Sequence, residues 1–140
     1  LETMPFAPAP ATTFDRILRF DLLRPVLQPI FRISDSSVFG YEGLIRGPAD
    51  TPLESPLALF AEAEARGLRP RLELAAARAI LKQFAALRLP GYLLLNLSCG
   101  TLESHSGEID AAMRIIQDSG IAPTGIIVEL TEHDRVRDAD

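Results

Sequence analysis

Apolar runs and polar breaks alternate along the chain with two different periods. From Thr13, the apolar positions Phe14, Ile17, Leu18 and Leu22 recur at helical spacing until Pro25, which cannot continue a helix. This predicts a short packing helix, capped by Thr13 and lying outside the core fold. Two strand-like runs follow, Val26 to Ile33 and Val38 to Ile45, separated by the turn-rich Ser34-Asp35-Ser36-Ser37. So short a link predicts an antiparallel pair. Ser55-Pro56 then reads as an N-cap with proline in the first helical position, and Gly67 as the stop of that helix. Its inward face is expected at Leu57, Phe60, Ala61 and Glu64. Pro70 opens a longer helix striped by Leu72, Ala76, Ile80, Phe84 and Leu87 and ended by Pro90-Gly91. Tyr92 to Leu97 is almost wholly apolar, as in a parallel strand covered on both faces. A helix carrying Ile109, Met113 and Ile116 runs to Gly120, and Ile126 to Leu130 is a fourth strand.

Strand, helix, strand in this order predicts an α/β fold, either a doubly wound sheet or the start of a barrel. In both, ligands gather at the carboxyl ends of the strands. Four polar residues interrupt or end the apolar runs: Gln28, Glu42, Asn96 and Glu129. A buried amide without a partner costs roughly 2 to 7 kcal/mol, so oxygens placed this way call for a compensating group. A hard cation supplies one. Glu, Asn and Glu form an all-oxygen set suited to Mg²⁺, Mn²⁺ or Ca²⁺, and no Cys/His pairing has zinc spacing. Arg46, four residues after Glu42, can set a guanidinium fork beside the cation, and that fork suits a phosphate. Each residue alone also has a plain structural explanation: Glu42 paired with Arg46, Asn96 capping a loop, Glu129 and Glu132 solvated at a strand end. On successive strands, convergence is the better account. A serine hydrolase is a weak competitor, because Ser98 lacks a nucleophile-elbow pattern and no histidine is placed to serve it.

Composition narrows the classes further. The 140 residues are 47% hydrophobic and 24% charged, ordinary for one globular domain. A net charge of -5 with no Lys/Arg block argues against long nucleic acids, while a small phosphate ligand stays compatible. Lys82 is the only lysine and falls within a helix, so it offers no pocket chemistry. The single cysteine, Cys99, forms no internal disulfide and fits a reducing compartment. His105 and His133 read as loop histidines at the surface. No apolar stretch approaches the roughly 18 residues of a membrane span. The segment is therefore expected to be cytoplasmic and without membrane contact. Residues 1–22 are expected to be a tail, proline-rich from Met4 to Pro10, plus the short helix, with the domain proper at 23–140.

Gln28-Pro29-Ile30, Tyr41-Glu42-Gly43-Leu44-Ile45-Arg46, Leu95-Asn96-Leu97-Ser98 and Glu129-Leu130-Thr131-Glu132 resemble, in order, the motifs of the EAL-domain family of bacterial cyclic di-GMP phosphodiesterases. The resemblance runs from about Leu23 to the last residue. It implies a TIM-like (β/α)8 barrel with an antiparallel first strand, present here as roughly its first half. It implies Mg²⁺ or Mn²⁺ on Glu42, Asn96 and Glu129, contacts to the dinucleotide from Gln28, Leu44 and Arg46, and support of a nearby loop by Glu132. The activity implied is hydrolysis of cyclic di-GMP to linear pGpG, with other signalling domains in the parent protein. Gly43 stands where the family signature has alanine, a small-for-small change expected to weaken the strand modestly. The family's paired aspartates, catalytic lysine and later glutamate and glutamine have no positions in these 140 residues. The chain alone is thus expected to be inactive, and to be unstable, paired with a second copy or completed by a further segment. The alternative is a degenerate relative that binds cyclic di-GMP or mediates protein contacts without turnover.

Overall fold

A computed structural model describes residues 12–103 and 106–131. The proline-rich lead-in and His105, Glu132 and His133 lie outside the described residues. Helix α1 (Thr13–Arg19) is capped by Thr12 rather than Thr13. Asp15 decides between the two threonines: its amide donates to the Thr12 hydroxyl at 3.2 Å and its carboxylate accepts from the Thr12 amide at 3.1 Å, closing a capping box. The helix does not lie outside the core, contrary to the expectation above. Phe14 and Ile17 are each 1% exposed and belong to the main core cluster. Arg66 secures them from α2's far end, stacking over the Phe14 ring at 5.3 Å while pairing with Asp15 at 3.2 Å. Leu22 is exposed because it lies past the helix end, where the helical phase no longer applies.

Strands β1 (Arg24–Phe31) and β2 (Val38–Arg46) form the expected antiparallel pair, with Gln28 opposite Glu42. At the turn, Asp35 Oδ1 accepts from the Ser37 amide at 2.9 Å and the Ser37 hydroxyl at 2.7 Å. These bonds hold the Asp35 carboxyl below the usual aspartate range. Pro25 and Pro29 are tolerated because β1 is an edge strand, where a missing N–H need not break a ladder.

Helix α2 (Pro56–Ala65) starts as expected, with the Ser55 hydroxyl accepting from the Ala58 amide at 3.1 Å. Its inward face is different. Leu59 and Ala63 are buried and Phe60 is half-buried, whereas Leu57 is 82% exposed and Ala61 and Glu64 face solvent. Five consecutive apolar residues from Leu57 to Ala61 leave the phase unspecified, so the surface it docks on chooses it. Helix α3 (Arg69–Leu87) buries Leu72, Ala76, Ile80 and Phe84 as read, while Leu87 is exposed in the last turn. Strand β3 (Tyr92–Ser98) is the most buried of the sheet, from Leu93 through Leu97, apart from Asn96. It runs straight into α4 (Cys99–Glu103), then α5 (Ser106–Asp118) and β4 (Ile126–Thr131). On α5 Ile116 packs on the core, but Met113 is exposed.

The sheet order is β1-β2-β3-β4, antiparallel once and then parallel. Strands laid down side by side in chain order form the wall of a barrel; a doubly wound sheet would have to reverse across its first strand. No helix among the described residues is long and apolar enough to cross a membrane.

A candidate cation and phosphate site on the sheet

Because side chains alternate along a strand, Glu42, Leu44 and Arg46 share one face of β2, and Gly43 and Ile45 the other. The second face is the core side, where Ile45 is buried and Gly43 meets α3. There a Cβ on residue 43 would collide with the Ile80 Cγ2 methyl, so glycine here is matched to a β-branched neighbour. The alanine of the family signature would need a different residue at position 80 or a displaced helix.

On the first face the candidate residues meet. The register sets Gln28 against Glu42 across the β1–β2 ladder, and Asn96 against Glu129 across the β3–β4 ladder. The two halves are joined by a hydrogen bond from Asn96 Nδ2 to Glu42 Oε1 at 3.0 Å. Parallel pairing of β2 with β3 extends only from Gly40 with Tyr92 to Glu42 with Leu94. Beyond that pair the strands part, and a cavity of about 160 Å³ opens between Gly43, Leu44, Arg46, Phe60, Ile80 and Asn96. The Asn96–Glu42 bond spans the mouth of this split.

Among the described residues no ion pair joins Glu42 to Arg46, so the simple structural explanation of that pair does not hold. Arg46, Gln28 and Glu129 are exposed on the same sheet, and Leu44 is half-buried beside them. Glu132 lies outside the described residues. No three histidine, cysteine, aspartate or glutamate side chains gather among the described residues. Any cation would therefore rest on a mixed set of carboxylate and amide oxygens, which suits Mg²⁺, Mn²⁺ or Ca²⁺. Donation by Nδ2 leaves Asn96 Oδ1 and Glu42 Oε2 without a hydrogen-bond partner among the described residues, and those are the atoms such an ion takes.

A second cluster was not legible in the sequence. Glu73 on α3 is buried and accepts from the Ser98 amide at 3.0 Å, from the Ser98 hydroxyl at 2.9 Å and from the Thr101 hydroxyl. Burial pushes its carboxyl above the ordinary glutamate value, against the pull of Ser98 and Arg69. The trace it leaves in the sequence is a lone acid between Leu72 and Leu74, with Ala77 and Ile80 following at one-turn steps. Read as a solvated residue beside the stripe, it attracts no notice.

The EAL domain family model matches residues 13–140. Klebsiella pneumoniae BlrP1, solved as a manganese and cyclic di-GMP complex, is 28% identical, with a TM-score of 0.68 over 79% of this chain and 28% of its own. The same protein solved with calcium and cyclic di-GMP is 26% identical at a TM-score of 0.67, covering 78% of this chain and 27% of that one. The PaMucR phosphodiesterase in complex with c-di-GMP shares the fold at 23% identity, with a TM-score of 0.70 over 89% of this chain and 52% of its own. The chain thus spans between about a quarter and a half of the solved structures it matches. No curated protein sequence matches it. Its sheet, antiparallel first and parallel after, corresponds to part of the barrel of these neighbours. The chain belongs to the EAL-domain family.

Proposed function

We propose that the protein carrying this chain is a cytoplasmic, divalent-cation-dependent phosphodiesterase that opens cyclic di-GMP to linear pGpG. One observation carries the reading: Asn96 and Glu42, on strands that have already separated, are held together at 3.0 Å on a face that also bears Glu129, Gln28 and Arg46. Oxygen donors spaced across three strands have no packing purpose. Family membership and the cyclic di-GMP bound to the BlrP1 neighbours supply the substrate class.

In this reading Glu42, Asn96 and Glu129 hold Mg²⁺ or Mn²⁺, the donor set being all oxygen. When bound, the cation supplies Lewis-acid stabilisation of the charge that develops on the phosphoryl oxygens. Arg46 offers its guanidinium, unpaired among the described residues, to a phosphate as a two-pronged donor. Gln28 and Leu44 flank the same face and contact the dinucleotide, the first through its amide and the second through apolar packing. Glu132 supports the loop that follows β4.

The test uses the full-length protein with cyclic di-GMP and Mn²⁺, products being separated by chromatography. The expected result is cation-dependent pGpG, abolished in Glu42→Ala by about 10³-fold or more as a charged ligand is lost. Hydrolysis that persists unchanged in that variant refutes the site. Tight binding without product supports the non-hydrolysing relative instead.

A further inference from the structure

Glu73 has no part in the proposed reaction, yet it is a 4% exposed carboxylate with an unusually full set of partners. Its donors come from one place, the corner where β3 becomes α4: the Ser98 amide and hydroxyl and the Thr101 hydroxyl. The Thr101 amide also donates to the Ser98 hydroxyl, at 3.2 Å, so the corner is tied to itself as well as to α3. Behind Glu73 stands Arg69, with Nε 3.5 Å from its Oε1, and Arg69 in turn pairs with Glu64 of α2 at 2.7 Å. The carboxylate is thus fixed from the helix layer and grips the sheet.

The grip falls two residues past Asn96, and its position matters. Asn96 lies beyond the last β2–β3 pair, Glu42 with Leu94, so no backbone ladder ties it to β2. On that side it is held by its own side chain to Glu42 and, past it, by the Glu73 anchor at Ser98. A buried ionised group is weak evidence for stability, since an apolar side chain of similar volume often packs as well. What a carboxylate gives, and an apolar side chain cannot, is a fixed position for three converging donors.

We propose that Glu73 is a positioning residue: by clamping the β3–α4 corner through Ser98 and Thr101, it sets Asn96 against Glu42 and so organises the cation site. This rests on the function proposed above. It does not touch substrate or cation itself.

Mn²⁺ binding to the full-length protein, followed by the electron paramagnetic resonance signal of free Mn²⁺, reads the effect without turnover. Glu73→Gln keeps the side-chain shape and loses one acceptor oxygen, and is expected to weaken Mn²⁺ by about 10- to 100-fold, as for other residues that support ligands from behind. Thr101→Val removes one donor at constant volume and shifts affinity the same way to a smaller extent. Leu81→Ala, a core truncation on the same helix, lowers the melting temperature at least as much but leaves Mn²⁺ affinity within about twofold. Thr101→Val decides the matter if Glu73→Gln does not fold. A folded Glu73→Gln or Thr101→Val with wild-type affinity, while Glu42→Ala has lost it, overturns the positioning role and leaves the cation site standing. Equal loss in Leu81→Ala overturns it too. Absence of Mn²⁺ binding in the wild type overturns both readings.

Discussion

Asn96 is the residue on which the site turns. Its amide nitrogen donates to Glu42 at 3.0 Å where the two strands have lost their ladder, so the side chain does what backbone pairing no longer does. Asn96→Asp sets two carboxylates against each other and removes the donor. Without cation it is expected to destabilise the fold by about 1 to 3 kcal/mol, the cost of a half-buried polar group left unpaired. Added Mn²⁺ should raise its melting temperature more than the wild type's, and urea melts with and without the ion check this. Asp35 makes a different prediction at the same scale. Its carboxyl titrates below the ordinary aspartate value because Ser37 donates to it twice, so its contribution is present above the unfolded-state pKa and lost as pH falls through the lowered folded value. Carbon-detected titration should place its midpoint below that of Asp118, an exposed aspartate for comparison. An Asp35→Ala variant should lose less stability than the wild type on acidification. Of these residues, Glu42 and Asn96 were legible because a polar side chain inside an apolar run is costly wherever the run is buried. Glu73 was not, because one acid beside a helical stripe looks the same whether it meets water or three donors from another element.

Among the elements, those with strong local chemistry were readable and those without were not. Ser55-Pro56 and Gly67 bracket α2 as read, since caps act on their own backbone within a turn or so. The face of α2 was misassigned because Leu57 to Ala61 are apolar all round, and Leu59 and Ala63 were selected only on docking. The contact between β2 and α3 gives the sharpest test. Gly43→Ala drives a Cβ into Ile80, and overpacking of this kind costs about 1 to 3 kcal/mol. Ile80→Ala alone costs about 2 to 4 kcal/mol as a cavity. Since each change relieves the other, the double variant should be at least about 1 kcal/mol more stable than the sum predicts, measured by a denaturant double-mutant cycle. Strict additivity would mean that the helix, and not the side chain, absorbs the added methyl group.

At the scale of the whole molecule the sheet has an outer edge. Among the described residues no strand pairs with the far side of β4, and there Val128 and Leu130 are 40% and 56% exposed. An unpaired apolar edge is a template for another strand. The 140-residue chain at tens of micromolar should therefore sediment as a species heavier than 15.3 kDa, and Leu130→Lys should shift it toward the monomer. A monomer for the unmodified chain at that concentration would show that the edge is covered by other means.

The alternation of strands and helices, the hairpin at Ser34 to Ser37, and the identity of the oxygen-bearing positions were set by the sequence itself. Each follows from local periodicity, turn chemistry or the cost of burying a polar group, and none needs a distant partner. Tertiary structure alone decided that α1 packs into the core, that α2 turns Leu59 inward, that β2 and β3 part beyond Glu42, and that Glu73 grips the corner after Asn96. Those outcomes depend on contacts such as Glu73 with Ser98, 25 residues apart, whose energies appear only once both surfaces exist.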